Sequence, residues 1–293
     1  MPYLVLLNKP KGVTSFGAVA RVRRALQEKR IGHTGTLDPM ATGVLPLLTG
    51  RASRLSSMML ESDKSYRATV RLGTVTDTLD ITGEVLKTNK VKVSDQELLS
   101  ALEHFKGEIS QLPPMYSAIK KDGVRLYELA RKGVEIERES RTVTIKELTL
   151  LKRLNETDFI INVTCSKGTY IRTLGADIGD YLGVGACLTE LERTSVSGFS
   201  IENCVALDEF EKGPEKYLLS AEECVKHLKS VQVSTAQGER FMHGGQLDLA
   251  RLHGVDNLLD GENIRVKCQD EFLGIGKIDL KRNQINIGCI IKE

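Results

Sequence analysis

Long apolar runs are missing from this chain. The longest are of the Tyr3 to Leu7 kind, far short of the roughly 18 to 20 residues a membrane span needs, so no part is expected to cross a bilayer. A secretory leader is not expected either. It would need an apolar stretch of about 7 to 15 residues, and Asn8, Lys9, Pro10 and Lys11 interrupt almost at once. The protein is therefore expected to stay in the cytoplasm. Paired cysteines are also lacking: Cys165, Cys187, Cys204, Cys224, Cys268 and Cys289 are never closer than 17 positions, which excludes paired-cysteine zinc and redox motifs and leaves reduced thiols. The five histidines include no helical two-His pair, and Cys224 with His227 is at best half a site, so no metal is expected.

What the chain does contain points elsewhere. At 293 residues and 41% hydrophobic content, it can bury one large core and a smaller second one. Net charge is only +2, yet residues 1–60 carry nine basic side chains (Lys9, Lys11, Arg21, Arg23, Arg24, Lys29, Arg30, Arg51, Arg54) against Glu28 and Asp38, a local +7. Residues 231–293 come to −1. One end is built to meet an anion, or it carries a solvated basic helix; charge alone does not separate the two.

Periodicity predicts a helix capped by Ser15, with Val19, Val22 and Leu26 on its buried side and Arg21, Arg24 and Lys29 on other faces, ending at Gly32. The segment GHTGTLDPMATGVL, residues 32–45, then reads as a shaped loop, because no regular element tolerates that density of glycine and proline. Pro39 biases Asp38 toward an extended backbone. Further expected elements are a strand at Tyr66 to Leu72, a helix from Val93 to Phe105 capped by Ser94, an extended Met115 to Lys120, a turn at Asp122 and Gly123, and a short helix from Leu126 to Lys132. A strand from Asp158 to Cys165 and a helix beginning near Thr169 follow. Strands and helices mix without βαβ regularity, which favours an α+β domain over a doubly wound parallel sheet. Ser220 and Glu223 suggest a capping-box helix ending near Ser230. Short alternating strands follow (Ile264, Val266, Cys268; Ile285, Ile287, Cys289, Ile291), so a domain boundary is expected near residue 230, giving domains 1–230 and 231–293.

Several residues invite chemistry. Asp38 is either a turn residue or a catalytic carboxylate presented from a rigid loop. That loop lacks the Lys-Ser/Thr ending of a P-loop, and Gly32, Gly35 and Gly43 do not fit a dinucleotide fingerprint. Asp77 and Asp80 suit backbone satisfaction in a turn better than a magnesium site. Arg172 stands in the first turn of its helix, where a cation opposes the macrodipole, so either an anion lies nearby or the side chain reaches solvent.

NKPKGVTSF at 8–16, RIGHTGTLDPMATGVL at 30–45, DKSYRA at 63–68, TDTLDITG at 76–83 and CSKGTYIRTL at 165–174 resemble, in order, the motifs of the bacterial tRNA pseudouridine-55 synthase (TruB) family. Residues 116–140, beginning YSAIKKDGVRLYELARKG, resemble its RNA-clamping insertion, and the last sixty or so residues resemble a small β-rich PUA domain.

The resemblance implies a pseudouridine synthase fold with a mixed, mainly antiparallel sheet. It implies isomerisation of a flipped-out T-loop uridine in tRNA, with no cofactor, metal or obligate protein partner, and acceptor-stem contact through the C-terminal domain. Carried over residue by residue, Asp38 is the catalytic carboxylate, whether as nucleophile or as base. Arg172 pairs with it, and Tyr66 stacks on the uracil and removes the C5 proton. His33 inserts where the base leaves. Lys9, Tyr170 and Leu191 line the pocket, and Gly35, Thr36 and Asp80 join the substrate-binding set. The competing readings are an RNA-binding or tRNA-folding protein on the same scaffold, and a magnesium-dependent phosphohydrolase, for which further carboxylate ligands are not found.

Overall fold

The computed structural model describes residues 2–292 apart from 61, 118, 122, 131 and 253–256. Its main sheet runs, neighbour to neighbour, through Val205–Ala206, Tyr3–Lys9, Thr42–Thr49, Ala186–Val196, Lys64–Leu72, Asp158–Cys165, Arg141–Arg153 and Gly107–Gln111. Along that path only two contacts are parallel: Tyr3–Lys9 with Val205–Ala206, and Thr42–Thr49 with Ala186–Val196. The others are antiparallel, so the expected mixed, mainly antiparallel α+β architecture is present.

The central strand Thr42–Thr49 has Val44, Leu45, Leu47 and Leu48 all fully buried, as a strand covered on both faces requires. The strand Asp158–Cys165 alternates instead, burying Phe159, Ile161, Val163 and Cys165 on one face. The helix Ile171–Tyr181 lies against Ala186–Val196 at close range. A Cβ on Gly179 would stand 2.3 Å from the Ala186 nitrogen, and one on Gly175 would stand 2.8 Å from Leu188 Cδ2. These two glycines let the second and third turns of the helix approach the sheet closely.

Local details correct several expectations. Thr14, not Ser15, caps the first helix, Ser15–Leu26, by accepting from the Gly17 amide. That helix stops at Leu26, not Gly32, with Gln27 left-handed at φ 51°. The glycine-rich segment is narrower than its composition suggests, because tertiary pairing draws its ends into strands Ile31–His33 and Thr42–Thr49. Helix Asp95–His104 has the Ser94 cap as a full capping box. Residues 115–117 are bends and not an extended run. The 116–140 insertion holds two-residue strands Lys120–Lys121 and Val124–Arg125 and the helix Leu126–Ala130. Asp122 of the expected turn and Arg131 lie outside the described residues. Ala221–Val225 is a 3-10 turn in which Ser220 caps Glu222, so no α-helix follows from the Ser220 and Glu223 pair.

Residues 230–290 form a second sheet, ordered Ser230–Val233, Asn263–Cys268, Glu271–Asp279, Gln284–Ile290, Leu247–Asp248. Its own core gathers Val231, Phe241, Ile264, Val266, Leu273 and Ile285. Ile275 and Ile291 instead join Leu4, Leu6, Leu48, Leu55, Met59 and Val225 in a cluster shared with the main sheet. Arg51 and Arg54 add bonds to the carbonyls of Lys292 and Ile290.

Candidate active site

The loop of residues 34–41 is pinned from beneath. Ser15 Oγ accepts from the Leu37 amide at 2.8 Å and donates to the Leu37 carbonyl at 3.0 Å. The Gly12 amide donates to the Pro39 carbonyl at 2.8 Å. Lys9, fully buried, donates its ammonium to the carbonyls of Val13 at 2.7 Å, Pro10 at 2.9 Å and Pro39 at 3.4 Å. Burial pushes the Lys9 ammonium down to about 8, against the opposing pull of Asp38, with Arg193 adding to the depression. Leu37 and Met40 are buried on either side of Asp38. The carboxylate between them keeps 34% of its surface open.

Arg172 is the misplaced cation of the helix start, and its anion is present. Its guanidinium is 4% exposed and donates Nε to Asp38 Oδ2 at 2.8 Å. Nη1 donates to the Thr78 carbonyl at 2.9 Å, and Nη2 to the Tyr116 carbonyl at 2.8 Å. Asp80 stands behind the same group, with Oδ2 3.8 Å from Nη1. Its Oδ1 accepts from Thr78 Oγ1 at 3.0 Å, the Thr82 amide at 2.9 Å and Thr82 Oγ1 at 2.5 Å. Asp77 accepts from the Glu84 amide at 2.8 Å and the Tyr116 hydroxyl at 3.2 Å. Both aspartates thus serve their turn, and Asp80 also supports Arg172.

Tyr66 is inserted between Val163 and Arg193 in the sheet register and is 8% exposed. Burial pushes its phenol up, Arg193 opposes this, and Asp38 is close enough to act on it. Sequence reasoning missed Arg193. It is 1% exposed, donates Nε to the Val44 carbonyl at 2.8 Å and Nη2 to the Gly35 carbonyl at 3.2 Å, and lies opposite Tyr66, close enough to act on its phenol. Leu191, buried two residues earlier, lies on the same strand face; that shared face was the available signal.

The loop sequence and the sheet thus bring a half-open carboxylate, a forked cation and a phenol to one place. Family models match in two consecutive stretches: the TruB family pseudouridylate synthase N-terminal domain over residues 23–171 and the tRNA pseudouridylate synthase B C-terminal domain over residues 172–231. The tRNA pseudouridine synthase B of Azoarcus sp. (strain BH72) is 44% identical over 279 residues, covering 94% of this chain and 90% of the relative. That of Burkholderia mallei (strain NCTC 10247) is 45% identical over 285 residues, covering 94% and 92%. The chain belongs to the TruB family of pseudouridylate synthases. A solved Cbf5-Nop10-Gar1 complex contains a chain 26% identical with TM-score 0.72, matched over 99% of this chain and 84% of that one. A box H/ACA ribonucleoprotein bound to a substrate RNA contains another at 24% identity and TM-score 0.73, over 99% and 85%, which speaks to the fold.

In this TruB-family chain the Asp38–Arg172 pair joins the two matched stretches, as does Tyr66–Arg193. His33 is half-buried, its ring set edge-on to Phe16 at 6.2 Å, and burial, with Arg193, lowers its basicity. Phe16, 64% exposed, is a second aromatic at this rim that sequence reasoning passed over. Gly35 is half-buried and Thr36 exposed on the same loop as Asp38. Tyr170 precedes the Arg172 helix, anchored by Gln111 at 2.7 and 3.1 Å, with the Arg141 guanidinium 5.2 Å from its ring centre. The basic excess of residues 1–60 is not all available to an anion, since Lys9 is buried and Arg21 pairs with Asp208 and Glu211.

Proposed function

We propose that the protein isomerises a uridine of the tRNA T loop, position 55, to pseudouridine, with Asp38 as the reacting carboxylate. The observation that carries this is the Arg172 fork, which fixes Asp38 at 2.8 Å on a loop tied down by Ser15 and Lys9. A carboxylate held and aimed by a cation, yet open on one side, is what a reacting group requires. The reaction breaks the bond from N1 to C1′, turns the base and rejoins C1′ to C5. The C5 proton is lost and N1 gains one, so the stoichiometry calls for no redox partner or group donor.

The base must leave its stack to reach Asp38, at a cost of a few kcal/mol. His33 and exposed Phe16 stand where the vacated space would be filled. A hollow of about 880 Å³ lined by Arg23, Lys29, Arg30 and Arg51, with Glu28, offers phosphate contacts that offset the cost. Tyr66 stacks on the uracil and receives the C5 proton. Leu191 and Tyr170 bound the pocket, Gly35 and Thr36 shape its loop, and Asp80 and Lys9 act through Arg172 and the loop carbonyls. Residues 1–230 carry the catalytic set, and residues 231–293 meet the acceptor stem by shape. The setting is cytoplasmic, where tRNA is matured.

Mapping pseudouridine in a T-stem-loop RNA and in whole tRNA incubated with the protein tests the reading. Conversion at position 55 is expected in both. Tight RNA binding without any conversion would leave only the tRNA-folding role.

A further inference from the structure

Arg193 is the odd residue of the site. A guanidinium taken out of water ordinarily needs a carboxylate, because an unpaired buried charge is costly. Arg193 is 1% exposed, and among the described residues it stands in no ion pair; the groups that favour its charge are the Tyr66 phenol and the Cys204 thiol, while Lys9 and His33 also feel it as basic neighbours. Cys204 is held neutral, its thiol pushed up to about 11 by burial. The remaining group that can give Arg193 a counter-charge is Tyr66, directly opposite it in the sheet register.

We propose that Arg193 is the positioning residue for Tyr66, orienting the phenol and supplying the charge that balances a phenolate while the C5 proton is removed. This rests on the reading of Tyr66 as the base. In the step, the phenolate oxygen forms a bond to the C5 proton and the C5–H electron pair returns to the ring as a double bond. The phenol then releases that proton to water, and N1 takes one from water. The charged and titratable groups facing Tyr66 are Arg193 from Ala186–Val196, Cys165 from Asp158–Cys165 and Asp38 from the loop. Lys9 faces Asp38 and Arg193 from the first strand. Cys165 is pushed up to about 11 by burial, and Asp38 disfavours a phenolate, so Arg193 is the neighbour that stabilises one directly. Its bonds to Gly35 and Val44 fix it against both ends of the catalytic loop.

The test is the pH dependence of single-turnover conversion on a T-stem-loop RNA, measured for wild type, Arg193→Met, Tyr66→Phe and the double variant. Near neutral pH, Arg193→Met is expected to slow conversion by about tenfold or more and to displace the rising limb of the profile to higher pH, about tenfold in rate for each unit. RNA affinity should change less than about threefold. In the Tyr66→Phe background the same change should add nothing, since coupled residues are non-additive. The chain has no tryptophan, so near-ultraviolet difference absorbance between wild type and Tyr66→Phe follows the Tyr66 phenolate, and its midpoint should rise in Arg193→Met. A slower Arg193→Met with an unmoved limb and phenol midpoint would overturn the inference while leaving Tyr66 as base. Wild-type turnover in Tyr66→Phe would remove the base reading itself, and the inference with it. If Arg193→Met lacks a cooperative melt, Arg193→Lys decides: an unmoved limb supports the charge role, and a loss as deep as that of Tyr66→Phe overturns it.

Discussion

Replacing Arg172 with lysine keeps the charge beside Asp38 and removes the fork. The guanidinium serves three acceptors in different directions, Asp38 Oδ2 and the Thr78 and Tyr116 carbonyls, at 2.8, 2.9 and 2.8 Å. A single ammonium cannot reach all three from the same backbone position, so two bonds are lost. Charge-assisted hydrogen bonds contribute about 1.5–3 kcal/mol each, and water entering beside the half-open Asp38 restores part, leaving a deficit of about 2–4 kcal/mol. If that deficit falls on the transition state, single-turnover conversion slows by roughly 30- to 1,000-fold. Arg172→Met goes further and leaves Asp80, 4% exposed, facing no cation, which should cost about 3–5 kcal/mol of folding stability by urea unfolding. The assay is single-turnover pseudouridine formation on a T-stem-loop RNA, with RNA affinity measured in parallel. An Arg172→Lys variant within about threefold of wild type in rate would show that charge alone suffices and that the fork argument is wrong.

Gly43 sits at φ +105° in a strand, where a Cβ would stand 2.2 Å from the Arg193 carbonyl oxygen; Gly43→Ala should lose about 3–5 kcal/mol through backbone strain and overpacking, read by urea unfolding. Asp177 is pushed up to about 6 by burial, with Asp180 adding to it. Because its folded pKa lies above its unfolded one, stability is lost as pH rises from about 4 to about 6. Asp177→Asn should therefore stabilise at neutral pH by about 1–2 kcal/mol and flatten the melt across that window. Deleting residues 232–293 uncovers Leu4, Leu6, Leu48, Leu55 and Met59, which share a core with Ile275 and Ile291. The remainder should lose about 3 kcal/mol or more and bind whole tRNA less tightly, and an unchanged urea midpoint would contradict this.

The parts of the site legible in the sequence were those that break a local rule. Arg172 opposes its helix dipole, and the structure supplies the anion. Asp38 sits among breakers, and the structure shows a loop fastened by buried Ser15 and Lys9. Arg193 breaks no rule within its strand, because one cation in an alternating segment looks like an outward-facing residue. The face it shares with Leu191 is a weak hint, and the register that sets it opposite Tyr66 is what reveals it. Ser15 resembles a cap in sequence because it lies one residue from the true cap, Thr14, while the Leu37 partner of its hydroxyl is 22 positions away. The two sheets followed from alternation and run length. The shared apolar cluster did not, since Ile275 and Leu273 read alike until their different neighbours are seen.

The central claim is that Asp38 does the chemistry. Asp38→Asn keeps the shape of the side chain and can still meet Arg172, while losing the reacting carboxylate. With a T-stem-loop RNA carrying uridine at position 55, this variant should bind with near-normal affinity and form no pseudouridine in a single-turnover assay. Conversion above about one per cent of the wild-type rate, beyond what the remaining site could supply, would contradict the account.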